Sequence, residues 1–137
     1  MEMNEHNYPK GKSEEKWKEK LDDSSFSILR EKGTEAPFSG EFNIHNKDGV
    51  YVCKGCDTPL FSHEGKFDSG CGWPSFDREL KSGIVEQKLD QSLGMTRMEI
   101  LCSQCGGHLG HIFPDGPTST GVRYCVNSAS LDFKTEK

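Results

Sequence analysis

Two Cys-x-x-Cys hooks, Cys53-Lys54-Gly55-Cys56 and Cys102-Ser103-Gln104-Cys105, constrain this chain more than any other feature. Together they supply four thiolates, the ligand set of a closed, tetrahedral structural zinc site. Each hook contains or precedes glycine (Gly55; Gly106 and Gly107), which suits the tight turn of a metal knuckle. The hooks lie 45 residues apart, much further than in a compact zinc ribbon, so one metal clips two distant parts of a single domain. A redox reading, as in thioredoxin-like proteins, lacks the βαβ context that motif needs. The composition calls for such a clip: only 32% of the 137 residues are hydrophobic and 15 are glycine, a thin supply of core. A structural metal contributes roughly 10 kcal/mol or more of apparent binding free energy to folding.

Charge and termini narrow the classes further. With 17 basic and 22 acidic residues the formal charge is −5, and phosphate binding wants a basic face, so nucleic acid is not the expected partner. No apolar run approaches membrane-spanning length. The first six residues have neither the basic start nor the apolar core of a signal peptide. A cytoplasmic location follows as the expectation, and six cysteines in a reducing compartment indicate metal or redox chemistry, not a disulfide framework.

Along the chain, residues 1–12 read as a disordered polar tail, 13–133 as one domain and 134–137 as a second tail, with fraying from Phe133 on. Residues 13–21 suit a short helix with Trp17 and Leu21 on one stripe. A second helix follows an N-cap at Ser24 or Ser25, carries Phe26, Leu29 and Arg30 at helical spacing, and stops with Gly33 at C′. Both helices read as surface cover, and residues 34–40 as a loop. Strands are expected at 50–52, 66–67, 83–85, 95–101 and 122–131. Short strands between Gly, Asp, Ser and Pro clusters indicate a mainly β, antiparallel domain.

The last of those strands holds the most suggestive side chains. Period-2 alternation puts Arg123, Cys125 and Asn127 on one face, Tyr124 and Val126 on the other. A neighbouring guanidinium favours the nucleophilic thiolate, and a carboxamide offers a hydrogen-bond donor. Alternatively Cys125 is a small core residue, as unpaired cysteines commonly are. The sixth cysteine, Cys71, sits between Gly70 and Gly72 ahead of Trp73 and Pro74. A cysteine in so mobile a loop is a natural partner for an oxidised thiol; the alternative makes it incidental and Trp73 mere packing. A tryptophan between glycine and proline more often lines a site. After the second hook come His108 and His111. In a strand they face opposite ways; in a turn they share a face. His108 reads as a hydrogen-bonded structural residue, and His111, beside Phe113, as a possible proton donor. His6, His45 and His63 carry no functional signal.

Taken together, Gly33-Thr34-Glu35 with Pro37-Phe38, the two hooks, the run from Ser69 through Cys71-Gly72-Trp73-Pro74-Ser75-Phe76, Gly107-His108-Leu109-Gly110-His111-Ile112-Phe113, Asp115-Gly116-Pro117 and Arg123-Tyr124-Cys125-Val126-Asn127-Ser128 closely resemble methionine-R-sulfoxide reductases of the B type. The resemblance runs from about Trp17 to Leu131. It implies two antiparallel β-sheets in a tent-like arrangement, short N-terminal helices, and one structural Zn²⁺ held by Cys53, Cys56, Cys102 and Cys105. It also implies reduction of the R epimer of methionine sulfoxide, mainly in oxidised proteins. By motif, Cys125 is the nucleophile and Cys71 the thiol that resolves it as a disulfide. Trp73 packs on the substrate methyl group, with Phe113 and, as a support, Asp115 on the substrate-binding side. His111 and Asn127, with His108 nearby, hold and protonate the sulfoxide oxygen, and Arg123 assists the thiolate. A thioredoxin-like reductant and oxidised proteins are the implied partners, and a monomer is the default state.

A rival from another class is a non-enzymatic, zinc-stapled β module that binds a peptide or small ligand against Trp73 and His111. It gives no reason for a thiol beside Arg123 or for a second spare thiol.

Overall fold

Runs rich in β-branched and aromatic residues, broken by Gly, Asp and Pro, fold here as short strands. A computed structural model describes residues 14–31, 33–35, 40, 42, 47–67, 72–91, 94 and 96–135. Helices α1 (Glu14–Lys20) and α2 (Asp23–Glu31) are followed by β1 (Gly49–Cys53), β2 (Pro59–Ser62), β3 (Lys66–Phe67), β4 (Ser75–Phe76), β5 (Val85–Asp90), β6 (Arg97–Cys102), β7 (His108–Phe113), β8 (Arg123–Val126) and β9 (Leu131–Thr135). A 3₁₀ turn at Ser128–Ser130 joins β8 to β9. The strands form two antiparallel sheets, ordered β2-β1-β9 and β3-β4-β8-β7-β6-β5. This is the mainly β, two-sheet architecture expected from the sequence. Among the described residues no helix is long and apolar enough to cross a membrane.

An aromatic seam joins the sheets. Phe61 of the small sheet stacks on Phe76 of the large one with ring centroids 4.3 Å apart, and Tyr51 meets Phe76 edge-on at 5.2 Å. Tyr124 of β8 closes on Phe61 at 5.5 Å, so the inward face of β8 belongs to the core and its outward face is left for chemistry.

The helices do more than cover the surface. Trp17, Leu21, Phe26, Ile28 and Leu29 are all buried, each stabilising by roughly 1.5–3 kcal/mol relative to exposure. They pack on the metal knuckles: a Cβ at Gly55 would lie 3.0 Å from the Trp17 ring, one at Gly107 would lie 2.6 Å from Leu29, and Arg30 Nη1 donates to the Cys105 carbonyl at 3.2 Å. The α2 N-cap is Asp22, not Ser24 or Ser25. Its Oδ1 accepts the Ser25 N–H at 2.8 Å, while the buried Ser25 hydroxyl donates to the Ala129 carbonyl. Gly33, two residues past the last residue of α2, closes the helix by donating its N–H to the Ser27 carbonyl at 2.9 Å.

Other boundaries differ for local reasons. Gly83 has φ +84° and belongs to a turn, so β5 starts at Val85. The strand expected over 122–131 breaks after Val126 because the Glu35 carboxylate takes the N–H groups of Ser128 and Ala129 at 2.8 and 3.1 Å, pulling them out of any ladder. The fray expected from Phe133 is instead the end of β9, with Phe133, Lys134 and Thr135 paired to Tyr51, Val50 and Gly49. The N-terminal tail and most of the loop expected at 34–40 lie outside the described residues.

Candidate active site

The four hook cysteines converge. Sγ atoms of Cys53 and Cys105 stand 3.6 Å apart, as do those of Cys56 and Cys102, and all four lie within 4.8 Å of one another. A zinc tetrahedron with bonds of about 2.3 Å has edges of about 3.8 Å, so this donor set fits the ion. Sulfur–sulfur hydrogen bonds from Cys102 and Cys105 hold the Cys53 thiol well above its usual pKa, because stripping protons from crowded sulfurs gathers like charges. A divalent cation relieves that crowding. The hooks are built alike. Cys53 N–H bonds to the Thr58 carbonyl and Asp57 N–H to that of Cys53; Cys102 N–H bonds to Gly107 and Gly106 N–H to Cys102, all at 2.8–2.9 Å. In each the residue after the second cysteine is left-handed, Asp57 at φ +62° and Gly106 at +79°. Gly55 therefore does not supply the turn; it is small because Trp17 is against it. Since β1 belongs to the small sheet and β6 to the large one, the cluster ties the sheets together.

From this anchor β7 runs to the second constellation. Glu99 pairs with His111 and Leu101 with His108, a register that shifts by one between them. The shift is a β-bulge, which puts two residues of one strand opposite one of the other. Partners two apart share a face, so the bulge brings both histidines to one face of a strand, with ring centroids 5.6 Å apart. Both sequence alternatives were half right: a strand, with a shared face. Leu109, the extra residue, buries its side chain and offers its carbonyl to the Asn127 N–H and Nδ2 at 2.9 and 3.1 Å.

His111 in turn pairs with Cys125 of β8, and Cys125 with Ser75 of β4. Thiol and imidazole are thus cross-strand neighbours, facing a cleft of about 220 Å³ lined by Trp73, His111, Phe113, Arg123, Cys125 and Asn127. The Trp73 indole donates to the Glu35 carbonyl at 3.0 Å, and the Asn127 Oδ1 accepts the Glu35 N–H at 3.1 Å. Burial pushes the His111 pKa below its ordinary value, opposed by a hydrogen bond from Nε2 to Asp90 at 2.8 Å. A thiol, an imidazole, a carboxamide and a guanidinium therefore surround an aromatic-walled space.

A family profile described as the SelR domain matches residues 21–135. The chain belongs to the SelR domain family. Among similar curated proteins is the peptide methionine sulfoxide reductase MsrB of Teredinibacter turnerae, 53% identical over 135 residues that cover 98% of each chain. Proteins of the same name from Leptospira interrogans (53% over 130 residues, 95% of this chain and 99% of the relative) and Chromohalobacter salexigens (53% over 123 residues, 89% and 92%) match comparably.

Not every expected residue reaches the cleft of this SelR domain. His108 is 2% exposed and does not line it; its Nδ1 lies 2.7 Å from Glu99 Oε2. Asp115 is exposed and stands behind Arg123, whose Nε and Nη2 donate to its two oxygens at 2.9 and 3.1 Å. That fork holds the Asp115 carboxyl below its usual pKa and sets the guanidinium 4.6 Å from the Phe113 ring centroid. Cys71 lies outside the described residues. Sequence reasoning gave no role to Asp90, Arg97, Glu99 or Glu35. Glu35 sat inside a quoted motif; the others carry no local signal, because their partners come from other strands.

Proposed function

We propose that this chain reduces the R epimer of methionine sulfoxide to methionine, chiefly in oxidised proteins. The observation that carries the reading is the cross-strand pairing of His111 with Cys125 in a cleft that Trp73 also lines, in a chain about 53% identical to proteins named for that activity. Cys125, as thiolate, attacks the sulfoxide sulfur. Two electrons pass to that sulfur, the oxygen is protonated by His111 and held by Asn127, and it ends on Cys125 as a sulfenic acid while methionine leaves. Arg123 supports the thiolate, Phe113 and Asp115 support the binding side, and His108 backs His111. Cys71 then condenses with the sulfenic acid, forming a disulfide and releasing water, and a thioredoxin-like dithiol reduces that disulfide. Handedness follows from the walls. Trp73 takes the methyl group and the polar groups take the oxygen, so only one arrangement about sulfur lets the peptide leave the cleft.

Zn²⁺, one per chain on Cys53, Cys56, Cys102 and Cys105, is structural in this reading; four thiolates leave it no open position. The protein acts as a monomer in the cytoplasm, in repair of proteins oxidised under stress. The test is turnover of separated R and S epimers of a protected methionine sulfoxide with dithiothreitol. Turnover of R alone is expected, lost in Cys125→Ser. Cys71→Ser should complete one round and fail to recycle with thioredoxin. No turnover of either epimer by folded, zinc-loaded protein would favour the ligand-binding module.

A further inference from the structure

His111 has two ring nitrogens, and one is already engaged. Nε2 lies 2.8 Å from Asp90 Oδ2, and Asp90 is only 5% exposed. Asp90 pairs with Arg97, Lys88 with Glu99, and Glu99 with His111. Asp90, Arg97, Glu99 and His111 therefore share one face of the large sheet, and the Asp90 carboxylate reaches past β6 to the imidazole. Arg97 Nη2 stands 3.7 Å from the same oxygen. Arg97 also lines the cleft, so charge at Asp90 is balanced beside the site. A carboxylate accepts and does not donate, so the hydrogen between the two groups belongs to Nε2. The neutral ring is then the Nε2–H tautomer, and Nδ1 is the nitrogen left for the cleft.

We propose that Asp90 is a positioning residue: by accepting the Nε2 hydrogen of His111 it commits Nδ1 to the sulfoxide oxygen and supports the imidazolium that delivers the proton. This rests on the reductase reading above. The proton leaves Nδ1 for the sulfoxide oxygen, and His111 is left neutral with Nε2–H still on Asp90; no electrons pass through the pair. The charged and titratable groups facing His111 are Asp90 from β5, Arg97 and Glu99 from β6, His108 from its own strand, and Arg123 and Cys125 from β8. Burial, Arg97 and His108 all disfavour the imidazolium, and Asp90 opposes them.

The test is single-turnover formation of methionine from the R epimer between about pH 5 and about pH 9, with wild type, Asp90→Asn and Asp90→Glu. In Asp90→Asn the limb on which the rate falls with rising pH should move about one unit lower. At a mildly alkaline pH the rate then drops several-fold, with substrate affinity nearly unchanged. Asp90→Glu should restore the limb toward its wild-type position. An unmoved limb in Asp90→Asn, whether the rate is normal or uniformly reduced, overturns the proposal. Imidazole ¹⁵N shifts of the wild-type protein give a test independent of any variant: neutral His111 should carry its hydrogen on Nε2, and an Nδ1–H tautomer overturns the proposal. Failure of the reductase reading looks different, namely wild type inert toward the R epimer at every pH.

Discussion

Gly110 stands where β7 and β8 approach beside Cys125, and a Cβ there would overlap the carbonyl oxygen of Cys125. Gly110→Ala should therefore push His111 away from Cys125, destabilise by about 1–3 kcal/mol as overpacking does, and cut turnover by more than stability loss explains. Thermal melting alongside an R-sulfoxide assay checks it; a fully active variant would show that the strands have slack. At the other end, Asp22 caps α2, and its bond from the Ser25 N–H holds its carboxyl below the usual pKa. A depressed carboxyl contributes stability that is present above its unfolded pKa and is lost as pH falls through the folded one. Asp22→Ala should cost about 1 kcal/mol at neutral pH, less if solvent at this exposed cap screens it. Urea titrations should show the gap between variant and wild type closing once the pH is well below 3.8, the ordinary value for the group. The face shared by Arg123, Cys125 and Asn127 was legible because alternation needs only the local chain. Asp22 as cap was missed because Ser24 and Ser25 are equally good capping types, and burial of Ser25 against Ala129 decided against it.

At the scale of elements, the hooks were legible and their turn chemistry was not. Glycine is the usual left-handed residue, yet the first knuckle puts Asp57 there. Asp57→Gly should leave stability unchanged or raise it by up to about 1 kcal/mol, whereas Gly106→Ala should cost about 1–2 kcal/mol for the same conformation. Chemical denaturation of both variants, zinc-loaded, reads the asymmetry directly; equal costs would mean that the knuckles bear different strain. The bulge at Leu109 could not be read from one strand, because it is a mismatch of count between β6 and β7. The brief strands β3 and β4 are two residues each and owe their extended form to neighbours. Pro59 in β2 is tolerated as the first residue of an edge strand.

For the whole molecule the thin core foretold a staple, and the cysteine cluster bridging the two sheets is where it sits. Stripping zinc from the protein with a strong chelator should abolish its cooperative melting transition, since roughly 10 kcal/mol of metal binding rivals the whole stability of a domain. Melting followed by calorimetry, with zinc restored as control, decides this; an unmoved transition would make the cluster dispensable. The family and the convergence of the four hook cysteines were legible because each is carried by a motif. Asp90, Arg97 and Glu99 were not, because only sheet order sets them beside His108 and His111.

Residues 33–35 lie in neither sheet, yet Glu35 holds the Trp73 indole, the Asn127 carboxamide and the first turn after β8. The zinc knuckles and the aromatic seam are fastened elsewhere. Activity and fold therefore have separate points of failure, and the slighter one behaves as a fuse. Warming, a protease nick or a careless substitution at this strap would silence the chemistry while the molecule still counts as folded by every bulk measure, so a preparation's melting point would be a poor guide to its competence.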